Sequence, residues 1–200
     1  MKKFKKLVIA SALLISMSPF FFGKQSEAAT RTHNVGKGET YWKIAIKYGV
    51  PVNEIKSINH RNGSLLYPGQ RLAVPYSAIS NPEKELIARL VHAEAKGEPY
   101  AGKVAVATVI LNRITSSKFP NTVKGVVYQN TKGHYAFTPV QNGQINKPAD
   151  AASRKAVNEA LAYRGKGNGS LYFYNPRIST SKWIFSRHTT VIIGNHKFAK

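Results

Sequence analysis

The chain of 200 residues contains no cysteine. Disulfide bonds, thiolate zinc sites and cysteine nucleophiles are therefore excluded from its chemistry. Acidic residues are scarce as well, because nine Asp and Glu stand against 30 Lys and Arg, which gives a formal charge of +21. A charge of this sign and size favours polyanionic partners such as nucleic acid, anionic lipid or a bacterial wall, but it does not indicate a fold.

The first 28 residues have the pattern of a secretory signal peptide. The basic start MKKFKK precedes an apolar stretch, LVIASALLISMSPFFF, that contains Pro19 and is shorter than the roughly 20 residues that a membrane span needs. Small residues in SEAA predict cleavage after Ala28, which would leave no stable membrane span. An uncleaved anchor is the alternative. Either form places the rest of the chain outside the cytoplasm and favours a wall polymer over nucleic acid.

Residues 31–76 have the pattern of a small strand-helix-helix-strand module. RTHNV alternates as a strand, and YWKIAIKYG is typical of a short helix that ends at Gly49 in a left-handed conformation. PVNEIKSIN predicts a second helix, and YPGQRLAVP predicts a turn followed by a closing strand. Residues 77–81 are predicted to be a linker.

This segment resembles the lysin motif (LysM), because VGKGETYWKIA, YGV, IN and YPGQRLAVP occur in the order of that family. The resemblance implies a βααβ fold that binds N-acetylglucosamine in polymers such as peptidoglycan. It also implies a shallow sugar groove between two loops. The residues expected to line it are Gly38, Glu39 and Thr40 in the first loop and Leu66, Tyr67, Pro68 and Gly69 in the second.

Residues 82–200 predict a second domain with three helices and a C-terminal β-hairpin, which makes the whole chain α+β. The first helix is expected to start with Asn81 as its N-cap and to end near Ala95. YAGKVAVATVILNRI is apolar nearly all round, so it predicts a central helix, and ADAASRKAVNEALAYRG predicts an amphipathic one. Residues 116–148 look irregular. SLYFYN and TTVIIGNHKFA alternate as strands, with a turn at TSKW between them.

Glu94 is an acid on the apolar face of the first of these helices, in line with Ile87, Leu90 and Val91. Burial raises the pKa of a carboxyl group and keeps it protonated. A protonated carboxyl is the general acid that a glycosidic oxygen needs as it leaves. An ion pair with Arg89 or Arg113 explains the same position without catalysis, and spacing alone favours this second explanation.

The second domain resembles the spore cortex-lytic and germination cell wall hydrolases. The resemblance rests on RLVHAEAKGEPYAGKVAVATVILNRI, FTPV, LYFYNP, SKWI and IGNHKFA, which occur in the family's order. It implies a lysozyme-like fold and cleavage of peptidoglycan glycan strands, commonly as a lytic transglycosylase, with Glu94 as the catalytic residue. Phe137 and Thr138 match a family FS pair with Thr in place of Ser, and Ala136 stands where the family often has glutamine.

The scarcity of acids in this domain favours transglycosylation over hydrolysis. A glycoside hydrolase normally needs a second carboxylate. Glu83 and Glu85 lie at the far end of the helix. Glu98 is the one nearby candidate, but a capping role at the start of the next helix explains it at least as well. Asp150 and Glu159 are expected at the cap and on the outer face of the third helix. The C6 hydroxyl of N-acetylmuramic acid then becomes the nucleophile, which gives a 1,6-anhydro product.

Tyr174, Asn175 and His196 are further candidates to contact the substrate. Two neighbouring strands would place a phenol, an amide and an imidazole beside one cleft, where they could bond to sugar hydroxyl and acetamido groups. Strand packing and a turn at NP explain the same residues equally well.

Other functions have less support from the sequence. No metal or cofactor is predicted, because the domain's four histidines form no close-spaced ligand pair, and this argues against a zinc amidase that cuts the stem peptide. A non-catalytic peptidoglycan-binding protein is the second alternative, and nucleic-acid binding rests on charge alone. The predicted protein is a secreted, wall-associated monomer, from a Gram-positive bacterium, whose charge also suits teichoic acids. Vegetative wall and spore cortex both remain open as substrates.

Overall fold

The structure is a computed structural model that describes residues 29–166 and 168–200. The predicted signal peptide at residues 1–28 lies outside the described residues. Within the described ranges, no helix has both the length and the apolar character that a membrane crossing requires.

The first module confirms the predicted order of strand, helix, helix and strand. Its elements are β1 (Thr30–Asn34), α1 (Tyr41–Tyr48), α2 (Val52–Ile58) and β2 (Arg71–Pro75). β1 and β2 pair antiparallel, and the two helices cover the sheet with Ile44 and Ile55 fully buried. Gly49 ends α1 with φ of 61°, so the predicted left-handed cap is confirmed.

The side-chain amide of Asn59 joins the second helix to the closing strand. Its Nδ2 donates to the carbonyl oxygens of Ile55 and Ala73, both at 2.7 Å. Its Oδ1 accepts from the backbone N–H of Ala73 at 2.9 Å. One half-buried side chain therefore makes three hydrogen bonds that tie α2 to β2.

The second domain contains the three predicted long helices, α3 (Asn81–Glu94), α4 (Tyr100–Thr115) and α7 (Ala151–Ala162). The helix α4 is central, as predicted, since it packs on α3 and α7 and buries Val106 and Ile110 completely. The N-cap prediction for α3 was wrong, because Ser80 occupies that position. Glu83 accepts hydrogen bonds from both the backbone N–H and the hydroxyl of Ser80, at 2.8 and 2.6 Å.

The segment at 116–148 is more ordered than its sequence suggested. It holds α5 (Val123–Val127), the short antiparallel strands β3 (Asn130–Thr131) and β4 (His134–Tyr135), α6 (Thr138–Gln141) and a 3₁₀ turn (Gln144–Asn146). Each of these elements is too short to show a hydrophobic period, so tertiary packing determines them.

The predicted C-terminal hairpin is present, within a larger sheet. β5 (Tyr172–Tyr174), β6 (Thr189–Ile193) and β7 (His196–Ala199) form a three-stranded antiparallel sheet in the order β5-β7-β6. A tight turn at Gly194, with φ of 58°, divides the stretch that looked like one strand into β6 and β7. TSKW overlaps α8 (Lys182–Phe185) and is therefore not a simple turn.

The two modules pack directly on each other, which their sequences did not indicate. Helix α1 lies against α7, where the Trp42 and Tyr163 rings meet edge to face with centroids 4.5 Å apart. Ala162 of α7 is buried in the core of the first module. Gly49 allows a close approach here, because a Cβ atom on it would lie 2.6 Å from Lys84 Nζ.

We expect Asn59→Ala to destabilise the first module. The substitution leaves partly buried backbone groups of Ile55 and Ala73 without their side-chain partner, which costs about 1–3 kcal/mol in the free energy of unfolding. Urea denaturation followed by circular dichroism measures this change. Asn53→Ala, at an exposed position of α2, is the control and should change stability by less than about 0.5 kcal/mol. Equal effects of the two substitutions would contradict the role of Asn59.

Candidate active site

Glu94 is the last residue of α3 and lies at the edge of the domain core. Ile87, Leu90 and Val91 on the same helical face are fully buried. Burial raises the pKa of the Glu94 carboxyl from its ordinary 4.5 to about 7, and the nearby positive charge of Arg113 opposes the rise. In the part of the chain that the structure describes, no hydrogen bond or ion pair involves this carboxyl. It therefore holds its proton up to near-neutral pH.

The other acids of the second domain each have a hydrogen-bonding partner. Glu83 bonds to Ser80, Glu85 to Arg154, Glu98 to Asn195, Asp150 to the backbone N–H of Ser153, and Glu159 to the hydroxyl of Tyr100. Asp150 is thus the cap of α7 that the sequence predicted. Since these carboxylates already accept hydrogen bonds, Glu94 is distinguished among the described acids of the domain by its free oxygens.

Glu98 does not act as the helix cap that was expected. Its Oε2 accepts from the backbone N–H of Asn195 at 2.9 Å, and its Oε1 from the Asn195 side chain at 3.2 Å. Gly194 makes this approach possible, because a Cβ atom there would overlap the Glu98 carboxylate. Glu98 thus anchors the β6–β7 turn to the start of α4.

Arg113 is the base whose positive charge acts on the pKa of Glu94, and its guanidinium lies among aromatic rings. Its guanidinium stands 4.8 Å from the ring centre of Phe119, 5.0 Å from that of Phe137 and 5.7 Å from that of Tyr172. Its Nε donates to the Leu171 carbonyl at 2.8 Å, and burial lowers its pKa to about 10.

Arg113 influences Glu94 without forming an ion pair with it. Among the described residues, no base stands within 4.0 Å of the Glu94 oxygens, so the ion pair with Arg89 or Arg113 that the sequence allowed is not formed. The sequence pattern did not reveal the aromatic surroundings of Arg113, because three separate segments supply the rings.

Phe137 and His196 are brought together by Phe173. Phe137 is buried and stacks on the Phe173 ring with centroids 6.3 Å apart, and Phe173 contacts the His196 ring at 5.3 Å. Burial lowers the pKa of His196, which favours the neutral imidazole. Thr138, by contrast, is exposed at the start of α6.

The expected grouping of Tyr174 and Asn175 with His196 is not found. Phe173 pairs with Phe198 across the sheet, so His196 shares their face whereas Tyr174 points to the other, where it packs on Phe185 at 5.5 Å. Asn175 accepts a hydrogen bond from the Arg177 backbone N–H at 2.9 Å and shapes the following turn. The phenol and the imidazole therefore lie on opposite faces of the sheet.

The second predicted sugar-binding loop is joined by hydrogen bonds to the segment just before the first loop. The backbone N–H of Gly69 donates to the Val35 carbonyl, and the N–H of Val35 donates to the Gln70 carbonyl, both at 2.8 Å. Leu66 packs on the module's core, whereas Tyr67 is 63% exposed and is available to a ligand together with Pro68 and Gly69.

In the first loop, Glu39 and Thr40 have clear structural roles. Glu39 accepts from His33 Nε2 at 2.7 Å and from the Gly36 backbone N–H at 2.8 Å, and the Gly36 bond is the main reason its pKa is lowered. Thr40 caps α1 through the Lys43 N–H. The Gly38 carbonyl accepts from Lys43 Nζ at 2.9 Å. These contacts fix the shape of the loop.

No group of three or more His, Asp or Glu side chains that could hold a metal ion occurs in residues 29–166 and 168–200.

Two family profiles match the chain. The cell wall hydrolase profile matches residues 97–199, and the LysM domain profile matches residues 33–75. The first match begins three positions after Glu94, so it covers most of the second domain but leaves out this residue.

The chain is also similar to several known proteins. It is 45% identical to a spore cortex-lytic enzyme of Bacillus cereus over 124 residues, which are 62% of this chain and 46% of that protein. It is 27% identical over 168 residues to the N-acetylmuramoyl-L-alanine amidase sle1 of Staphylococcus aureus, covering 84% of this chain and 48% of that protein. The chain thus spans less than half the length of these curated relatives.

A solved structure supports the fold of the second domain. The catalytic domain of the germination-specific lytic transglycosylase SleB from Bacillus anthracis superposes with a TM-score of 0.57 at 43% sequence identity. The match covers 64% of this chain and all of that one. The α+β fold with a LysM module before a lysozyme-like domain is confirmed.

Ionisation of Glu94 should lower the free energy of unfolding as pH rises. Because its pKa is about 7 when folded and near 4.5 when unfolded, the folded state binds more protons between these values and loses stability with increasing pH. Gln at this position does not titrate. We therefore expect the stability of Glu94→Gln relative to wild type to rise by up to about 3 kcal/mol between pH 4 and pH 8, measured by denaturant unfolding.

Glu83→Gln is the matched control on the same helix. Hydrogen bonds from Ser80 lower the pKa of Glu83, so its carboxylate stabilises the folded state above its unfolded pKa, and this benefit is lost as pH falls through the folded value. Its substitution should change relative stability with pH in the opposite direction. A pH-independent effect of Glu94→Gln would show that the carboxyl is not desolvated.

Proposed function

Because the chain belongs to the cell wall hydrolase family, we propose that it is a peptidoglycan glycosidase that cleaves the bond between N-acetylmuramic acid and N-acetylglucosamine. The observation that carries this proposal is Glu94, a desolvated carboxyl that has no hydrogen-bonding or ionic partner in residues 29–166 and 168–200 and whose pKa is about 7. The names of the relatives, spore cortex-lytic enzyme and lytic transglycosylase, support the same class of reaction.

Glu94 acts first as an acid and then as a base in the proposed reaction. Its proton passes to the glycosidic oxygen as the bond from the N-acetylmuramic acid C1 to that oxygen breaks, so no alkoxide has to leave. The sugar becomes oxocarbenium-like while Glu94 becomes a carboxylate. The positive charge of Arg113 stabilises that carboxylate electrostatically, since the same charge already opposes the rise in its pKa.

The second step needs no further carboxylate. The C6 hydroxyl of the same sugar attacks C1 and gives its proton to the Glu94 carboxylate, which restores the acid and produces a 1,6-anhydro ring. The attacking group is intramolecular, so its effective concentration is high and no water has to be positioned. The engagement of the domain's other described acids with partners of their own supports this route over hydrolysis.

The LysM module would hold the enzyme on its polymer. Its two loops, with Tyr67 exposed, offer a surface for N-acetylglucosamine. Cleavage after Ala28 would remove five lysines and Glu27 and leave a formal charge of +17, which would add salt-dependent attraction to anionic wall polymers such as teichoic acids. This protein would act as a secreted, wall-associated monomer of a Gram-positive bacterium, and its relatives from spore formers favour cortex peptidoglycan as one substrate.

Glu94→Gln should abolish lysis while leaving wall binding intact. Loss of the general acid lowers the rate by at least about 10²-fold, because amide nitrogen cannot donate a proton to the leaving oxygen. Turbidity loss of purified peptidoglycan measures lysis, and sedimentation with the same material measures binding. Glu83→Gln, which preserves the hydrogen bonds to Ser80, is the control and should lyse normally. A wild-type protein that binds but never lyses would establish the non-catalytic alternative.

The products of digestion distinguish the reaction types. We expect 1,6-anhydro-muropeptides to dominate when digests of cortex and vegetative peptidoglycan are separated and analysed by mass spectrometry. Reducing-end N-acetylmuramic acid without anhydro sugars would establish hydrolysis instead. Free stem peptides with intact glycan strands would favour the amidase activity that the name of the Staphylococcus aureus relative describes.

A further inference from the structure

A cavity of about 540 Å³ lies where the first module meets the second domain. Its charged lining consists of Arg31, Lys47, Lys84, Glu85 and Arg154. Neither Glu94 nor the residues of the two LysM loops belong to its lining. The cavity is therefore separate from both sites described above.

The positive charge of this cavity is largely uncompensated. Glu85 is the acid in its lining, and both of its oxygens are taken by Arg154, at 2.7 and 2.9 Å. Within the described ranges, no acidic oxygen lies within 4.0 Å of Arg31, Lys47 or Lys84. Among the described residues, these three cations thus face one cavity without an acidic group at ion-pairing distance, although the charge of Lys47 contributes to the lowered pKa of Glu39.

These three cations all lie near Tyr48, two at its ring and one at its backbone carbonyl. The Arg31 guanidinium stands 5.0 Å from the centre of this ring and 4.1 Å from that of Tyr76. Lys47 Nζ stands 5.6 Å from the Tyr48 ring centre, and Lys84 Nζ donates to the Tyr48 carbonyl at 3.4 Å. Arg31 Nε is buried and has no hydrogen-bond partner among the described residues.

Lys84 shows the effect of burial and of one neighbouring positive charge. The side chain is half-buried, and desolvation together with the Arg31 charge lowers its pKa. Like charges gathered in a partly desolvated space destabilise the protein unless an anion joins them. The arrangement therefore favours binding of a negatively charged group from outside.

The chemical type of the free donors favours a phosphate group over a carboxylate. A planar carboxylate is best matched by the open fork of an arginine. The Arg154 fork is occupied by Glu85, and the Nε side of the Arg31 fork is buried. The remaining cations of the lining are Arg31 on β1, Lys47 on α1 and Lys84 on α3. A lysine ammonium binds phosphate as a point charge and needs no planar fork.

We propose that this cavity binds the phosphate ester groups of an anionic wall polymer of polyol phosphate type. A phosphodiester seated here would contact β1 and α1 of the LysM module and α3 of the second domain together. It would stabilise the junction between the two modules. The source of the phosphate rests on the wall location proposed above, whereas the cavity and its charges do not depend on it.

Calorimetric titration of the full chain at low ionic strength tests this site. Inorganic phosphate should bind at one saturable site, and poly(glycerol phosphate) should compete for it. Lys84→Gln and Lys47→Gln should each lower phosphate affinity by about tenfold, the effect of losing one charge-assisted contact. Lys124→Gln removes the same charge from an exposed position of α5 outside the cavity and should change affinity less than about twofold.

Several results would overturn the proposal. These are absence of saturable phosphate binding, equal losses in Lys124→Gln and the cavity variants, or acetate binding as tightly as phosphate. Phosphate binding without competition by poly(glycerol phosphate) would overturn the polymer as its source. Phosphate should also raise the melting temperature of wild type more than that of Lys84→Gln. A cooperative melting transition of the variant in the same measurement shows that it is folded.

Glu94→Gln separates this inference from the proposed enzymatic function. It should bind phosphate as tightly as wild type while failing to lyse peptidoglycan. If it still lyses the wall, the assignment of Glu94 fails and the phosphate site stands. If wild type lyses the wall without binding phosphate, the phosphate site fails and the proposed enzymatic function stands.

Discussion

Desolvation of one carboxyl group is the constraint on which the proposed chemistry depends. Helix α3 must bury Leu90 and Val91 to pack on α4, and its periodicity carries Glu94 to the same side. No donor among the described residues compensates the charge of that carboxyl, so the cost of burial appears as a raised pKa. Packing of the core thereby produces a proton donor at near-neutral pH and lowers stability at alkaline pH.

The sequence alone predicted those helices and helix caps whose signals lie within a few residues of each other. The apolar run of α4, the capping residue Asp150 of α7 and Gly49 at the end of α1 follow from rules that act within a few residues. The raised pKa of Glu94 could also be foreseen, because a helical period of 3.6 places it beside Leu90 and Val91.

Contacts between distant segments could not be foreseen. The residues next to Glu98 suggested a helix cap, yet Glu98 bonds to Asn195, which is 97 positions away. The surroundings of Arg113 come from three different segments of the chain. Alternation along β5 was visible, but the register that pairs Phe173 with Phe198, and so separates Tyr174 from His196, was not. Such features depend on tertiary register, which short-range patterns do not contain.

The direct packing of the two modules has a geometric consequence for any polymer that both hold. Trp42 meets Tyr163 edge to face, and Gly49 lies against Lys84, so the LysM module is fastened to the second domain instead of hanging from a flexible tether. The span from the sugar-binding loops to Glu94 is then a fixed length. Under the proposed function, each glycan strand would be cut at a constant offset from its anchored residues, and oligosaccharides shorter than that offset would engage one module at a time.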